Sequence, residues 1–334
     1  MIEYLSNVAA IDVGSNAMRM VIGAVDETSF LVEAYKRREP VRLGADVFAH
    51  GHLRKGTMRK ALEAFQRFRE LLEEYQVSHL RAVATSATRE AANGEELIER
   101  VREATDIELE KISGLEEAHL VYVGVSRAVY LVDKNALIVD MGGGRVELTV
   151  VRQGVAVGCE TLPIGPLRLL AALRRQDLKE GEAMQLLTRY RGVVADLLRA
   201  ELGESPLDLC VGAGGNIERM GKMRAPLLGK IKTGKIKRRD LDVLLPTVLN
   251  MSVERRREEL RLRADRADII GIAMFIVRMI LEEATAEKML IPGVGLREGL
   301  LWQVTRQAVA PPWAKRTAVD MKGSGKGPWY RNES

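Results

Sequence analysis

Cysteine is scarce in this 334-residue chain: Cys159 and Cys210 are the two present, far apart and without C-x-x-C spacing. That argues against a disulfide framework or a cysteine zinc site and fits a reducing compartment. The four histidines form no H-E-x-x-H pattern, and His50-Gly51-His52 sits in a glycine-containing loop with no third ligand, so it reads as surface. Aromatic residues make up 4% of the chain and no nucleic-acid motif appears, so a specific DNA partner is not expected. Neither a G-x-S-x-G elbow nor a Cys/His pairing is present, so covalent catalysis is not indicated. The most apolar run, Ile269 to Leu281, contains Arg278 and is too short to cross a bilayer. The N-terminus lacks a basic-then-apolar leader, and a cytoplasmic protein is expected. Between 222 and 239 there is no acid, whereas Lys222, Arg224, Lys230, Lys232, Lys235, Lys237, Arg238 and Arg239 all fall there. This run reads equally as a solvated face or as a guide for a polyanion. Within it, Gly229 to Ile236 nearly matches a P-loop, but Ile236 stands where a hydroxyl must reach magnesium and no buried strand precedes Gly229.

What is present is a glycine device used twice. Leu137 to Val151 reads as a strand, Asp140 at its end, the turn Gly142-Gly143-Gly144, and a second strand carrying Glu147. Val8 to Ile22 repeats the layout with Asp12, Gly14, Ser15 and Asn16. Consecutive glycines let backbone N–H groups approach an anion closely, and a carboxylate beside them can hold a cation or a water. Two such units suggest two facing phosphate loops on two similar half-domains, a layout that resembles the actin-like (ribonuclease H-like) ATPase fold. Length and a hydrophobic content of 46% allow two domains, and a net charge of +5 favours polyanionic ligands.

Along the chain, residues 8–36 predict a three-strand meander turning at Asp26 to Ser29, and 56–76 an amphipathic helix. Leu80 to Ala84 reads as a strand ending in a polar loop, Thr85 to Glu90, whose Arg89 either grips a phosphate oxygen or caps a helix. Ser113 to Ala118 opens a helix with Glu116 and Glu117 in its first turn, where acids complement the helix dipole. Adjacent helical side chains point about 100° apart, so one glutamate can serve the helix end while the other faces a cleft. Pro166 starts a helical stretch to about Ala200, read as two helices meeting near Gln176-Asp177. Gly212 to Asn216, with Gly214 and Gly215, forms a third glycine turn between a strand and a helix. Gly293 to Leu301 opens the last helix, and the Gly/Lys/Ser-rich tail 313–334 predicts disorder.

In order, these blocks resemble the Ppx/GppA family of exopolyphosphatases and guanosine pentaphosphate phosphohydrolases, in its short two-domain form. The matching stretches are Ala10 to Asn16, Ala84 to Glu90, Ser113 to Ala118, Val139 to Leu148, Val211 to Gly215 and Gly295 to Gly299. The resemblance implies α/β actin-like domains, domain I from 1–125 plus about 294–312 and domain II from 126–293, with a cleft between them. It implies hydrolysis of a terminal phosphoanhydride with a divalent metal, usually Mg2+, the ligand being polyphosphate or guanosine penta/tetraphosphate, and it admits a homodimer. Glu117 falls at the family's proposed catalytic base, with Glu147 beside it as a second catalytic acid. Asp12, Asp140 and Glu147 are the expected metal ligands. The phosphate contacts expected are Asp12, Gly14, Ser15, Asn16, Arg19, Arg89, Gly142, Gly143, Gly144, Arg145, Gly214 and Gly215. Arg145 replaces the family's usual small hydroxyl residue and either adds a phosphate grip or fills the pocket; Asn216 and Ala17 also depart from the pattern. A non-catalytic alarmone sensor is the alternative of another class.

Overall fold

The computed structural model describes residues 4–26, 31–179, 182–229 and 234–309. The expected turn at Asp26 to Ser29, Lys230 and Lys232 of the basic run, and the tail 313–334 fall wholly or partly outside those residues.

Strands β1 (Tyr4–Val13), β2 (Met18–Asp26) and β3 (Leu31–Glu39) form the expected antiparallel meander. Helices α1 (Leu43–His50) and α2 (Lys55–Glu74) follow, and β4 (Val77–Ala84) returns parallel to β1. Next come α3 (Ser86–Glu90), α4 (Gly94–Thr105), β5 (Leu109–Lys111) and α5 (Gly114–Ala128), giving a sheet of order β3-β2-β1-β4-β5. The second half repeats this path. Strands β6 (Ala136–Met141), β7 (Val146–Arg152) and β8 (Val155–Leu162) make another meander. After α6 (Pro166–Arg175), α7 (Ala183–Leu187), a 3-10 turn and α8 (Arg191–Leu202), β9 (Leu209–Ala213) lies parallel to β6. Then come α9 (Gly215–Leu228), β10 (Lys235–Lys237), α10 (Arg238–Leu249), α11 (Val253–Glu259), α12 (Ala264–Ala267), α13 (Ile270–Glu283), β11 (Lys288–Leu290) and α14 (Leu296–Val309). The sheet order is β8-β7-β6-β9-β11-β10, the first sheet's path with one edge strand added. This duplicated topology is the mixed α/β, two-domain actin-like architecture.

The central strands explain themselves by burial. Val8 to Ile11 are fully buried, and every residue of β6 is buried, as expected for strands covered on both faces by helices. On α2, Met58, Ala61, Phe65, Phe68 and Leu72 recur at helical spacing and fill the first core. Helix α13 is apolar on almost every side because it lies inside the second core, not across a membrane. Among the described residues no helix is long and apolar enough to cross a membrane.

Helix α14 packs on α5 and on β1, β2 and β4. The contact depends on glycine: a Cβ at Gly299 would lie 1.8 Å from the carbonyl oxygen of Leu120. Two local readings need correction. Thr85 to Glu90 is not an open loop; Ser86–Glu90 closes one helical turn. The stretch after Pro166 is more broken than two helices, with α6 ending at Arg175 and α7, the 3-10 turn and α8 following. Asp177 adopts φ 52°, a left-handed backbone that stops a helix.

Candidate active site

Both meanders end their first strand in a carboxylate, and pairing sets what stands across from it. Asp12 pairs in register with Arg19, and Arg19 with Arg38 on β3. Asp140 pairs with Glu147, and Glu147 with Thr161 on β8. The two rows face one crevice of about 840 Å³, lined by eleven lysine and arginine side chains against six carboxylates. The glycine turns meet across it: a Cβ at Gly143 would lie 3.1 Å from Ser15 Cβ and 3.4 Å from the Asn16 amide nitrogen. The Leu167 amide donates to the Gly143 carbonyl at 2.9 Å, and the Gly44 amide to the Ser15 carbonyl at 2.8 Å, so both turns are held from behind.

Glu117 reaches the crevice from the first turn of α5. The Ser113 hydroxyl accepts from the Glu116 amide at 3.1 Å, and the Glu116 carboxylate turns outward to Arg81 at 2.6 Å. Glu117, 100° further round, is buried against Asp140 and Glu147. One carboxylate oxygen from each of these three lies within 4.8 Å of the others. The cause of their raised proton affinity is the same throughout. Burial lifts Glu117 to about 8, with Asp140 and Asp12 adding repulsion against the opposing pull of Arg89. Burial and Asp12 lift Asp140 to about 7, with Arg19 opposing. Burial, Glu117 and Asp140 hold Glu147 well above the usual carboxylate range. Glu147 Oε2 is buried without a hydrogen-bond partner. The adjoining carboxylates of Asp140 and Glu147, one of them with an orphaned oxygen, fit a divalent cation such as Mg2+.

The crevice wall includes Asp12, Gly14, Ser15, Asn16, Arg19, Gly142, Gly143, Arg145, Gly214, Gly215, Glu117, Asp140 and Glu147. The remaining expected residues are placed as follows in the fold. Asp12 lies outside the three-carboxylate cluster and pairs with Arg19 at 3.1 Å. Arg89 is not on the wall: both its terminal nitrogens donate to Glu117 Oε2 at 3.2 Å, and it also donates to the Ile112 carbonyl. Gly144 lies behind the wall, where a Cβ would come 2.2 Å from the Phe48 ring. Arg145 Nε donates to Glu90 at 3.0 Å, and Arg168 holds the same carboxylate at 2.6 Å.

Several wall residues carried no expectation: Arg38, Arg219, Arg263, Arg266, Arg297 and Glu298. The meander pairing would have found Arg38, opposite Arg19. Arg297 lay within a matched block, and its charge pulls on Asp12. Arg263 and Arg266 arrive on α12, a four-residue helix with no periodic signal, which Arg256 braces by donating to the Ala267 carbonyl at 3.0 Å.

Residues 21–308 match the sequence model of the Ppx/GppA phosphatase family. Among solved structures, the Aquifex aeolicus Ppx/GppA family member is similar at 22% identity and a TM-score of 0.73, covering 92% of this chain and 99% of that one. An exopolyphosphatase from Cytophaga hutchinsonii is similar at 21% identity and a TM-score of 0.76, with 90% and 98% covered.

Proposed function

Because this chain belongs to the Ppx/GppA phosphatase family, we propose that its crevice hydrolyses the terminal phosphoanhydride of inorganic polyphosphate and releases orthophosphate. The observation that carries this reading is the placement of Glu117, Asp140 and Glu147 in one buried cluster facing a wall rich in guanidinium groups.

Asp140 and Glu147 would hold a divalent cation, which when bound neutralises their repulsion and the charge of the terminal phosphate. Glu117 is the base. Arg89 fixes its Oε2, which assigns Oε1 to the attacking water and makes Arg89 a positioning residue. The water oxygen bonds to the terminal phosphorus, its proton passes to Glu117, and the bridging P–O bond breaks. The chain leaves one phosphate shorter. Arg19 and the backbone N–H groups of the two glycine turns bear the charge spread over the phosphate oxygens.

Incubation with Mg2+ and long-chain polyphosphate, followed by a phosphate assay, tests this directly. Release from the wild type and its loss in Glu117→Gln, with binding retained, is the expected result. Faster release from guanosine pentaphosphate would replace polyphosphate with the nucleotide as substrate. Tight binding with no release from either would make the chain a sensor.

A further inference from the structure

Three parts of the crevice come from distant stretches of chain: the first glycine turn, the triple-glycine turn and Glu117. One helical turn, α3, reaches all three. Its Ser86 hydroxyl lies 2.9 Å from the Ser15 hydroxyl in the first turn. Arg89 donates to Glu117 at 3.2 Å. The next residue, Glu90, points elsewhere around the helix and accepts from Arg168 Nη2 on α6 at 2.6 and 2.7 Å. Neither Glu90 nor Arg168 is on the crevice wall. Burial works against the Glu90 charge, but Arg168 and then Arg145 outweigh it and hold Glu90 below the usual carboxylate range, so the pair stays ionised at neutral pH.

Arg168 stands behind the triple-glycine turn. The Gly143 carbonyl accepts from the Leu167 amide at 2.9 Å and from the Arg168 amide at 3.3 Å. The Gly144 carbonyl accepts from the Gly165 amide at 3.2 Å and from Arg168 Nε at 2.8 Å. Both carbonyls therefore face the start of α6. A Cβ at Gly165 would lie 2.4 Å from the Gly143 carbonyl oxygen, so only glycine lets α6 come this close. A trans peptide carries its C=O and the following N–H on opposite sides of one plane, so the Gly144 and Arg145 N–H groups point away from α6. Among the described residues neither N–H makes a backbone hydrogen bond, and Gly143 and Arg145 on either side of Gly144 both line the crevice. The Arg168 guanidinium sits 4.2 Å over the Phe48 ring, which restricts its rotation.

We propose that Glu90 and Arg168 are a pair of positioning residues that act through the triple-glycine turn. Glu90 fixes the guanidinium, the guanidinium fixes the Gly144 carbonyl, and that peptide plane aims the Arg145 N–H at the terminal phosphate. Because Arg89 and Glu90 are neighbours on α3, the carboxylate that activates water and the turn that binds the anion are set from one helical turn. The pair rests on the hydrolase reading for its reaction. It requires arginine rather than any cation: Nε and Nη2 serve two acceptors from one rigid plane, a geometry that a lysine ammonium lacks.

Arg168→Lys separates positioning from simple pairing, because lysine keeps the charge opposite Glu90 and loses the fork. Rates with Mg2+ and long-chain polyphosphate, Tm, and the calorimetric Kd for orthovanadate, a phosphate analogue that accepts a fifth oxygen, are measured for the wild type, Arg168→Lys, Glu90→Gln and the double variant. Arg168→Lys should lose about thirtyfold in kcat with KM within about threefold, and its orthovanadate Kd should rise by a similar factor while Tm stays within a few degrees. Glu90→Gln should lose about tenfold, and the double variant no more than Arg168→Lys alone, as for residues that act as a unit. Losses that multiply in the double variant overturn the pair. Should Arg168→Lys fail to fold, Glu90→Gln decides alone: a fall in kcat at constant KM supports the pair, and unchanged kcat overturns it. If the wild type releases phosphate and Arg168→Lys matches it, the hydrolase reading stands and the pair falls. If the wild type releases none but binds orthovanadate, and Arg168→Lys weakens that binding, the pair stands and the hydrolase reading falls. Neither release nor orthovanadate binding by the wild type overturns both.

Discussion

The two meanders place a carboxylate at the same point and then diverge at the residue opposite. In the first, Asp12 meets Arg19; in the second, Asp140 meets Glu147. Asp12 is raised by burial, but Arg19 offsets part of it through charge and a hydrogen bond. At Asp140 and Glu147 neighbouring acids add to burial instead. One duplicated backbone therefore makes two unlike half-sites, an arginine row and a carboxylate row, of which the proposed function gives anions to the first and a cation to the second. A phosphoanhydride with bound metal requires both, side by side.

The comparison breaks first at Glu117, which α5 adds to the carboxylate side. Glu117→Gln should lower phosphate release at least about a hundredfold while long-chain binding persists, checked by phosphate assay and calorimetry. A loss under about fivefold would remove Glu117 as the base.

Next is the cost of the carboxylate row without its cation. In EDTA the native state keeps protons on Glu117 and Asp140 up to about 8 and about 7, whereas the unfolded chain releases them near ordinary carboxylate values of roughly 4. The native state binds more protons across that window. Stability is therefore greatest below roughly pH 4 as far as these groups go, and is lost as pH rises through about 7 and about 8. A melting series from pH 5 to 8 should show Tm falling by a few degrees in EDTA. Mg2+ should restore more at pH 8 than at pH 5, and Glu147→Gln should flatten the trend. A Tm that rises with pH in EDTA would contradict it.

The arginine row should fail more gently. Arg19→Gln removes one charged phosphate contact and should raise KM about tenfold with a smaller change in kcat. An unchanged KM would mean that Arg19 serves only Asp12.

Much of this is legible in the sequence. Asp12 to Arg19 and Asp140 to Glu147 are each seven residues apart, the spacing of facing positions across a tight meander turn. Glu116 and Glu117 could be separated by helical geometry alone, one outward to Arg81 and one inward. What the sequence hid was long-range placement. Whether Arg89 points at a ligand or at Glu117 depends on where α5 starts relative to α3, and nothing local to Thr85 to Glu90 encodes that. Arg263 and Arg266 reach the crevice because Arg256 braces their short helix from within the core, a contact across eleven residues with no periodicity to announce it. Asp12 and Asp140 end strands of one layout, and only the residue across the hairpin tells their surroundings apart.

Arg145 gives the smallest effect and the sharpest discrimination between the two rows. It follows the triple glycine on the carboxylate side, so as a phosphate ligand it would move the second turn toward the anion-binding character of the first. Its guanidinium is instead committed to Glu90, which Arg168 also holds while donating to the Gly144 carbonyl at 2.8 Å and stacking over Phe48. In Arg145→Ser, Arg168 still holds Glu90 and the Gly144 carbonyl, so the turn keeps its shape. The variant loses a partly exposed ion pair, worth at most about 1 kcal/mol, and one positive charge that eases the crowding of Glu147. Phosphate release should therefore change by less than about threefold in either direction, with KM nearly constant. A tenfold rise in KM would make Arg145 a phosphate ligand, and a tenfold rise in kcat would make it an obstruction; either result would erase the division of labour between the two turns.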